Sequence, residues 1–383
     1  MNKQYDYIIT GAGCAGLSLL MRLLQEPTLQ HKKILVIDEE PKTKNDRTWC
    51  FWEKENGLFN EIVHHQWSNL IFKDASFEKQ FSIAPYQYKM ILGIDFYNYV
   101  LQFASKFNNV VFRYEKVLQV NATNQLAEVV LRDEKIYATY IFNSILFEKP
   151  IIKPNQYFLL QHFKGWVIET PQPVFNSGTA TFMDFSISQQ YGTTFMYVLP
   201  IAPNKALVEY TLFTEELLND ATYTIALKKY IQENLGIEEY AITHEEFGQI
   251  PMTNFTFPNK QGNIVYIGIA GGQAKGSSGY AFQFIQKRTQ QIVQSLVNKN
   301  HPFVKNRSFN NKKFHLYDSV LLHVLQHKKM DGGNIFSAIF KNNSPQTVLQ
   351  FLDNETNLLQ DFKIMSSVPT NIFLPAAIKE LLQ

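Results

Sequence analysis

The chain has 383 residues, enough for two domains with cores of their own. Its 36 basic and 34 acidic side chains leave a formal charge of +2, too small to argue for a nucleic-acid partner. Two cysteines, Cys14 and Cys50, exclude a disulfide framework and a cysteine-based zinc site, and they fit a reducing compartment.

The first element decides the class. Tyr7-Ile8-Ile9-Thr10 is a short β-rich run that enters the turn Gly11-Ala12-Gly13-Cys14-Ala15-Gly16 and leaves as the apolar helix beginning Leu17-Ser18-Leu19-Leu20. A dinucleotide site needs glycine at each of these three places. Gly11 permits the tight turn, Gly13 lets backbone approach a pyrophosphate, and Gly16 lets helix and strand pack closely. The free N–H groups and the positive end of the helix dipole then face the phosphates. Lys33-Ile34-Leu35-Val36-Ile37-Asp38 follows as a second strand. Asp38 stands about 20 residues past the last glycine, where a ribose hydroxyl would be held.

Residues 1–40 thus read as β-α-β. The start runs from Met1 into its first strand within about six residues, without a charged n-region and apolar h-region, so a cytoplasmic location is expected. No apolar run approaches the ~18 residues needed to cross a bilayer. Asn45-Asp46-Arg47-Thr48-Trp49-Cys50-Phe51-Trp52 is a polar turn followed by aromatics. It reads equally as a cofactor-lining segment, with Arg47 near phosphate or ribose, or as an aromatic plug under a loop. Short strand-like runs follow, such as Leu70-Ile71-Phe72. The spacing of Phe96, Tyr99, Val100 and Phe103 predicts a helix over 95–107 with Asp95 as N-cap. The runs 110–114, 117–120, 127–131 and 137–142 read as a strand, a hairpin and a strand returning to the parent sheet.

Residues 151–213 carry mainly strand signals, including 185–188, 195–199 and 206–213, with turns at Tyr191-Gly192-Thr193 and Ala202-Pro203-Asn204-Lys205. An antiparallel sheet separate from the nucleotide fold is the natural product, and 214–235 turns helical. Asn263-Ile264-Val265-Tyr266-Ile267-Gly268-Ile269-Ala270-Gly271-Gly272 returns to strand-then-glycine, and Ser277-Ser278-Gly279-Tyr280 opens a helix to about Val297. This is a second candidate anion site, or else a packing corner; a flavin, whose ribityl chain must cross the fold, favours the former. Residues 301–383 read as helical throughout. Near their start Arg307, Lys312 and Lys313 stand beside Phe309 and Phe314, a solvated face or a contact for anionic lipid. Phe and Tyr are abundant, 31 and 19, and offer much aromatic surface to an apolar ligand.

Several stretches together resemble the lycopene cyclase family. Besides the glycine turn these are Asp46-Arg47-Thr48-Trp49-Cys50-Phe51-Trp52, Gln161-His162-Phe163-Lys164-Gly165-Trp166, Phe182-Met183-Asp184-Phe185, and Tyr197-Val198-Leu199-Pro200. To them belong Ala206-Leu207-Val208-Glu209-Tyr210-Thr211, Ile250-Pro251-Met252-Thr253, the 268–280 segment and Gln346-Thr347-Val348-Leu349-Gln350-Phe351-Leu352-Asp353. The resemblance implies an α/β fold, α+β overall. It has a Rossmann-type FAD-binding domain of the aromatic-hydroxylase type, an antiparallel-sheet substrate domain and a helical C-terminal region. On that scheme 1–60, 93–150 and 253–300 bind FAD, 61–92 and 151–252 form the substrate domain, and 301–383 is the helical region.

The implied activity is redox-neutral cyclisation of the ends of lycopene to β-rings, with FAD in its reduced form and NAD(P)H as reductant; the alternatives are a redox flavoenzyme of the same fold, a hydroxylase or prenyl reductase, and a non-catalytic prenyl-binding protein. Gly11, Gly13, Gly16, Asp38, Arg47, Gly268, Gly271, Gly272, Ser278 and Gly279 are the expected cofactor residues. The related hydroxylases carry Gly-Asp in the second flavin motif, whereas Ile267-Gly268-Ile269-Ala270 has no acid. Such chemistry needs an acid, a base and shelter for a carbocation. Alternation puts Leu207, Glu209, Thr211 and Phe213 on one strand face, so Glu209 sits among mostly apolar groups, where burial raises a carboxyl pKa as a proton donor requires. The resemblance points to the same residue; the plain alternative is a solvent-facing strand glutamate. Asp184 either orients Glu209 or caps a turn. His162 fits a satisfied core histidine better than a proton shuttle. Trp166, Phe185, Phe195 and Tyr197 are the aromatics expected at the substrate, each face contributing ~0.5–2 kcal/mol to a desolvated cation. His64, His65 and His244 lack ligand spacing, so no metal is expected. Lycopene is insoluble in water, so a cytoplasmic protein lying peripherally on the inner face of the membrane, against the lipid surface, is expected.

Overall fold

In the computed structural model, residues 4–123, 125–305 and 308–382 are described, and they form three sheets. The larger nucleotide-type sheet is eight-stranded. Strand Gln4–Thr10 lies parallel between Ile34–Asp38 and Lys135–Asn143. Val110–Tyr114 extends one side and Ile264–Tyr266 the other, also parallel. The hairpin Gln119–Ala122 and Ala127–Val130 joins Lys135–Asn143 antiparallel. Near-continuous apolar runs such as Ile34-Leu35-Val36-Ile37 are buried, as a sheet covered on both faces requires. Helix α1 (Cys14–Gln25) buries Leu17, Leu20 and Leu24 against it.

Helix α2 (Gly93–Ala104) starts two residues before the expected Asp95 cap. Its first N–H groups are met from a distant loop instead. Gly93 N donates to Arg47 O at 2.7 Å and Ile94 N to Asn45 Oδ1 at 3.3 Å. A cap supplied through space replaces the local side chain. The aromatic segment after Arg47 is a strand, Thr48–Glu53, not a loop. It pairs with Gln87–Leu92, which also pairs with His65–Trp67, giving the three-stranded sheet.

The third sheet is seven-stranded. Its order is Ala241–Thr253, Phe158–Glu169, Lys205–Thr214, Thr193–Ala202, Thr179–Asp184, Asn69–Lys73 and Glu78–Ser82. All neighbours are antiparallel except Thr179–Asp184 with Asn69–Lys73. The expected strand at 185–188 does not form: strand 179–184 ends where Asp184 Oδ1 accepts from Ser186 N at 2.8 Å, a side-chain turn that stops the ladder. Helix α3 (Asp220–Glu233) covers one face through Tyr223, Leu227 and Tyr230.

Helix α4 (Phe282–Lys299) begins after Ser277–Tyr280, which stay in the loop. Beyond it run α5 (Phe309–Gln326), α6 (Gly332–Asn342), α7 (Pro345–Leu352), α8 (Leu358–Ser366) and α9 (Thr370–Leu381). They close the other face of the seven-stranded sheet, where Phe336 and Phe340 meet Phe72, Phe182 and Phe185. The basic cluster read near residue 310 does not form one face. Lys313 is buried on Asp361, Phe314 is buried, and Arg307 lies outside the described residues. No helix among the described residues is long and apolar enough to cross a membrane.

Candidate active site

The three glycines of the first turn do three different things. Gly11 has φ +94°, and a Cβ there would fall 2.1 Å from Ser144 Oγ. A Cβ on Gly16 would fall 2.0 Å from Gly11 O, so strand end and helix start touch only because it is glycine. A Cβ on Gly13 would meet nothing within 4 Å, because this glycine faces a cavity of about 420 Å3. Gly13 is also the N-cap of α1 and brings no capping side chain, so the first-turn N–H groups face that cavity. Asp38 Oδ2 accepts from Ala12 N at 2.6 Å and Oδ1 pairs with Lys42 Nζ at 2.9 Å. Asp38 therefore braces the turn and still borders the cavity. Arg47 borders it too, with its side chain 60% exposed and 3.7 Å from Asp46.

The second glycine loop closes the same cavity. Gly268 packs on Ala15, and Gly279 reaches Gln161, each with positive φ. The loop is tied down from behind by buried Lys275, which meets Asp318 at 2.8 Å and Asn354 at 2.7 Å. Three residues expected at the cofactor lie elsewhere. Gly271 and Gly272 border a separate cavity of about 640 Å3 behind the loop. Gly271 is glycine because a Cβ would fall 2.4 Å from Tyr266 O. Ser278 is buried without lining the first cavity, its hydroxyl unpartnered.

From the glycine turns the cavity runs to the seven-stranded sheet. There a single cross-strand row presents Tyr197, Glu209, Gly165 and Glu246. Tyr197 stands opposite Glu209, Glu209 opposite Gly165, and Gly165 opposite Glu246. Residues directly opposite in antiparallel strands point to one face, so both glutamates reach into the cavity over a position with no side chain. Two strand spacings separate them, about 10 Å between backbones. A Cβ at Gly165 would come within 3.1 Å of Glu246 Cγ. Glu209 accepts from Thr211 Oγ1 at 2.8 Å, while Glu246 Oε2 is buried with no partner. Burial, and then the neighbouring Glu246, raises the Glu209 pKa well above the usual carboxylate range. Burial also raises Glu246, against the Thr48 hydroxyl and the Arg47 charge. Two like charges in one buried site favour a shared state with a single ionised member.

Glu246 was not singled out in the sequence. The part of its strand that holds it, before the Ile250-Pro251-Met252-Thr253 stretch, carries no motif, and only the register across Gly165 joins it to Glu209. The aromatics that face the pair are Tyr88, Phe163, Tyr197 and Tyr280, of which only Tyr197 was expected. Tyr197 and Tyr280 hydroxyls meet at 3.1 Å. Trp166 does not join them. Its partner across the ladder is Val208, so it points to the α3 side, one residue out of phase with Gly165. Phe195 shares the Glu209 face but is sealed behind Tyr197 and Phe213. Phe185 is stacked on Phe336 of α6. Asp184 is on the α3 side, accepting from Tyr230 OH at 2.7 Å, and it neither touches nor orients Glu209. His162 is a satisfied core residue between Tyr223 OH at 2.7 Å and Thr214 Oγ1 at 2.6 Å.

A parallel nucleotide sheet with a glycine cradle, joined to a mainly antiparallel sheet that carries the two buried glutamates, defines the flavoprotein hydroxylase and reductase type of fold. Solved structures agree. A flavoprotein/dehydrogenase from Cytophaga hutchinsonii matches with TM-score 0.66 and 11% identity over 99% of both chains. A geranylgeranyl bacteriochlorophyll reductase-like protein from Thermoplasma acidophilum matches with TM-score 0.65 and 13% identity over 99% of this chain and 98% of that one. Within this class the chain belongs to the lycopene cyclase family, whose model matches residues 6–377. A lycopene beta-cyclase from Pantoea ananas is 25% identical over 265 residues. That match spans 66% of this chain and 64% of the relative, so less than two thirds of the relative's length is covered.

Proposed function

We propose that this protein is a lycopene beta-cyclase that closes the acyclic ends of lycopene to β-rings without net oxidation. The row Tyr197–Glu209–Gly165–Glu246 at the end of the glycine-turn cavity is the observation that carries this reading. Glu209, held protonated by burial, gives its proton to the terminal C1–C2 double bond, and the cation forms at C1. The C5–C6 double bond attacks C1, the C1–C6 bond closes and the charge moves to C5. A proton then leaves C6 and restores the C5–C6 double bond. One proton enters and one leaves, so the masses of substrate and product are equal. Glu246 is the ionised member that takes up this proton and returns it to the pair. Tyr88, Phe163, Tyr197 and Tyr280 exclude water, which would quench the cation to an alcohol.

The residues present fit FAD. Gly13 opens to the cavity, the α1 first turn offers free N–H groups, and Asp38 and Arg47 border the entrance. In its reduced form, with NAD(P)H as reductant, bound FAD would supply negative charge to stabilise the cation in a low-dielectric site. The protein works as a peripheral protein on the cytoplasmic face of the membrane, where its hydrocarbon substrate is dissolved.

The test is expression in a lycopene-accumulating cell with the pigments separated by chromatography and weighed by mass spectrometry. Cyclic carotenes of unchanged mass are expected. Products that gain an oxygen or two hydrogens would make this a redox flavoenzyme and overturn the reading.

A further inference from the structure

The last two helices have an outer face that a water-facing surface does not explain. α8 and α9 are joined by the short link 367–369, and both seat their inner faces on α5. Asp361 of α8 accepts from Lys313 Nζ at 2.6 Å and Tyr317 OH at 3.3 Å. Glu380 of α9 accepts from Tyr157 OH at 2.5 Å and lies 3.7 Å from His323 Nδ1. Ile364, Val368 and Ala376 complete the inner face in the core. A surface helix with its apolar stripe buried this way ordinarily turns polar groups outward. Here the outward side is apolar as well. Leu359 is 84%, Phe362 74%, Leu381 66% and Leu382 83% exposed, with Leu358, Met365, Leu374 and Ile378 beside them. Singly exposed apolar residues are ordinary, but eight of them within residues 358–382, all on the two helices or at the end of the second, mark an interaction surface.

Charge identifies the occupant. Between 358 and 382 the acids are Asp361 and Glu380, and both are turned inward onto partners. The bases are Lys363 and Lys379, and both are exposed. The outer surface is thus leucine-rich and purely cationic. A second copy docking on the same patch by two-fold symmetry would bring lysines against lysines. An anionic lipid surface accepts the leucines between its chains and the lysines at its headgroups. We infer that the α8–α9 hairpin is the surface by which this protein lies on an anionic bilayer, its helices in the plane of the interface. The choice of lipid as partner rests on the cyclase reading, in which the substrate is a membrane hydrocarbon.

Flotation of the purified full-length protein with vesicles tests this. Vesicles of phosphatidylethanolamine with phosphatidylglycerol are compared with vesicles of phosphatidylcholine. The parent is expected to float with the anionic vesicles. Leu359→Ser, Phe362→Ser and Leu381→Ser combined are expected to lower partition roughly tenfold or more. Lys363→Glu with Lys379→Glu is expected to lose at least about fivefold per lysine on anionic vesicles and little on neutral ones. Both variants change exposed side chains, and an unchanged melting temperature verifies the fold. A parent that does not float, or a triple-serine variant that floats as well as the parent, overturns the inference. So does a parent that is dimeric in solution and becomes monomeric in the triple-serine variant, since a second copy then covers the face. Cyclisation of lycopene delivered in detergent micelles separates the two claims. Micellar activity without flotation removes only the docking surface, and flotation without activity removes only the cyclase reading.

Discussion

The two faces of the seven-stranded sheet hold similar residues and do opposite things with them. On the α3 side stand an acid, a histidine and a lysine, and each is satisfied: Asp184 by Tyr230 and Ser186, His162 by Tyr223 and Thr214, Lys164 by Asp220 at 2.8 Å. On the cavity side stand two glutamates and Gln161, and they are under-partnered. Glu246 Oε2 and Gln161 Oε1 have none, and Glu209 has one hydroxyl. A buried polar group without a partner costs about 1–3 kcal/mol, so a fold keeps several together only where a ligand will meet them. The comparison teaches that burial of an acid does not by itself set the candidate site apart; Glu209 and Glu246 differ from Asp184 in having few partners beside a cavity.

The largest effect that would sharpen this contrast is on turnover. Glu209→Gln keeps the shape and removes the proposed proton donor. It is expected to lower the cyclisation rate by ~10²–10⁴-fold while the bound flavin spectrum is retained. A variant as active as the parent would take Glu209 out of the mechanism.

Asp184→Ala is the matching change on the other face. It leaves the Tyr230 hydroxyl buried and unpartnered, so stability is expected to fall by about 1–3 kcal/mol in denaturant titrations. Turnover per folded molecule is expected to stay at the parental level. Loss of turnover at unchanged stability would break the division between the faces.

The smallest effect is a dependence on pH. Glu209 and Glu246 have pKa values raised above those of the unfolded chain. The native state then holds protons that the unfolded state has released, and stability falls as pH rises past the ordinary glutamate value. Glu246→Gln removes one such group. Relative to the parent it is expected to gain on the order of 1 kcal/mol between about pH 5 and pH 8. Melting curves across that range check the sign; a parent that becomes more stable relative to the variant as pH rises would contradict it.

Much of the site was legible in the chain itself. The Gly11-Ala12-Gly13 turn, Asp38 at the end of the second strand and the face shared by Leu207, Glu209 and Thr211 all follow from short-range rules. Those rules are the positive φ that favours glycine and the two-residue period of a strand. Folding alone decided which face of each strand meets the cavity and what stands beside it. Trp166 and Gly165 are neighbours in sequence, yet register sends one to the α3 core and leaves the other as the gap between two carboxyls. Glu246 reaches Glu209 only through a strand about 80 residues away along the chain, and Asn45 and Arg47 cap α2 from outside it. Such pairings depend on how whole sheets and helices stack, because a cross-strand neighbour is set by packing of the buried faces and leaves no mark in the local sequence.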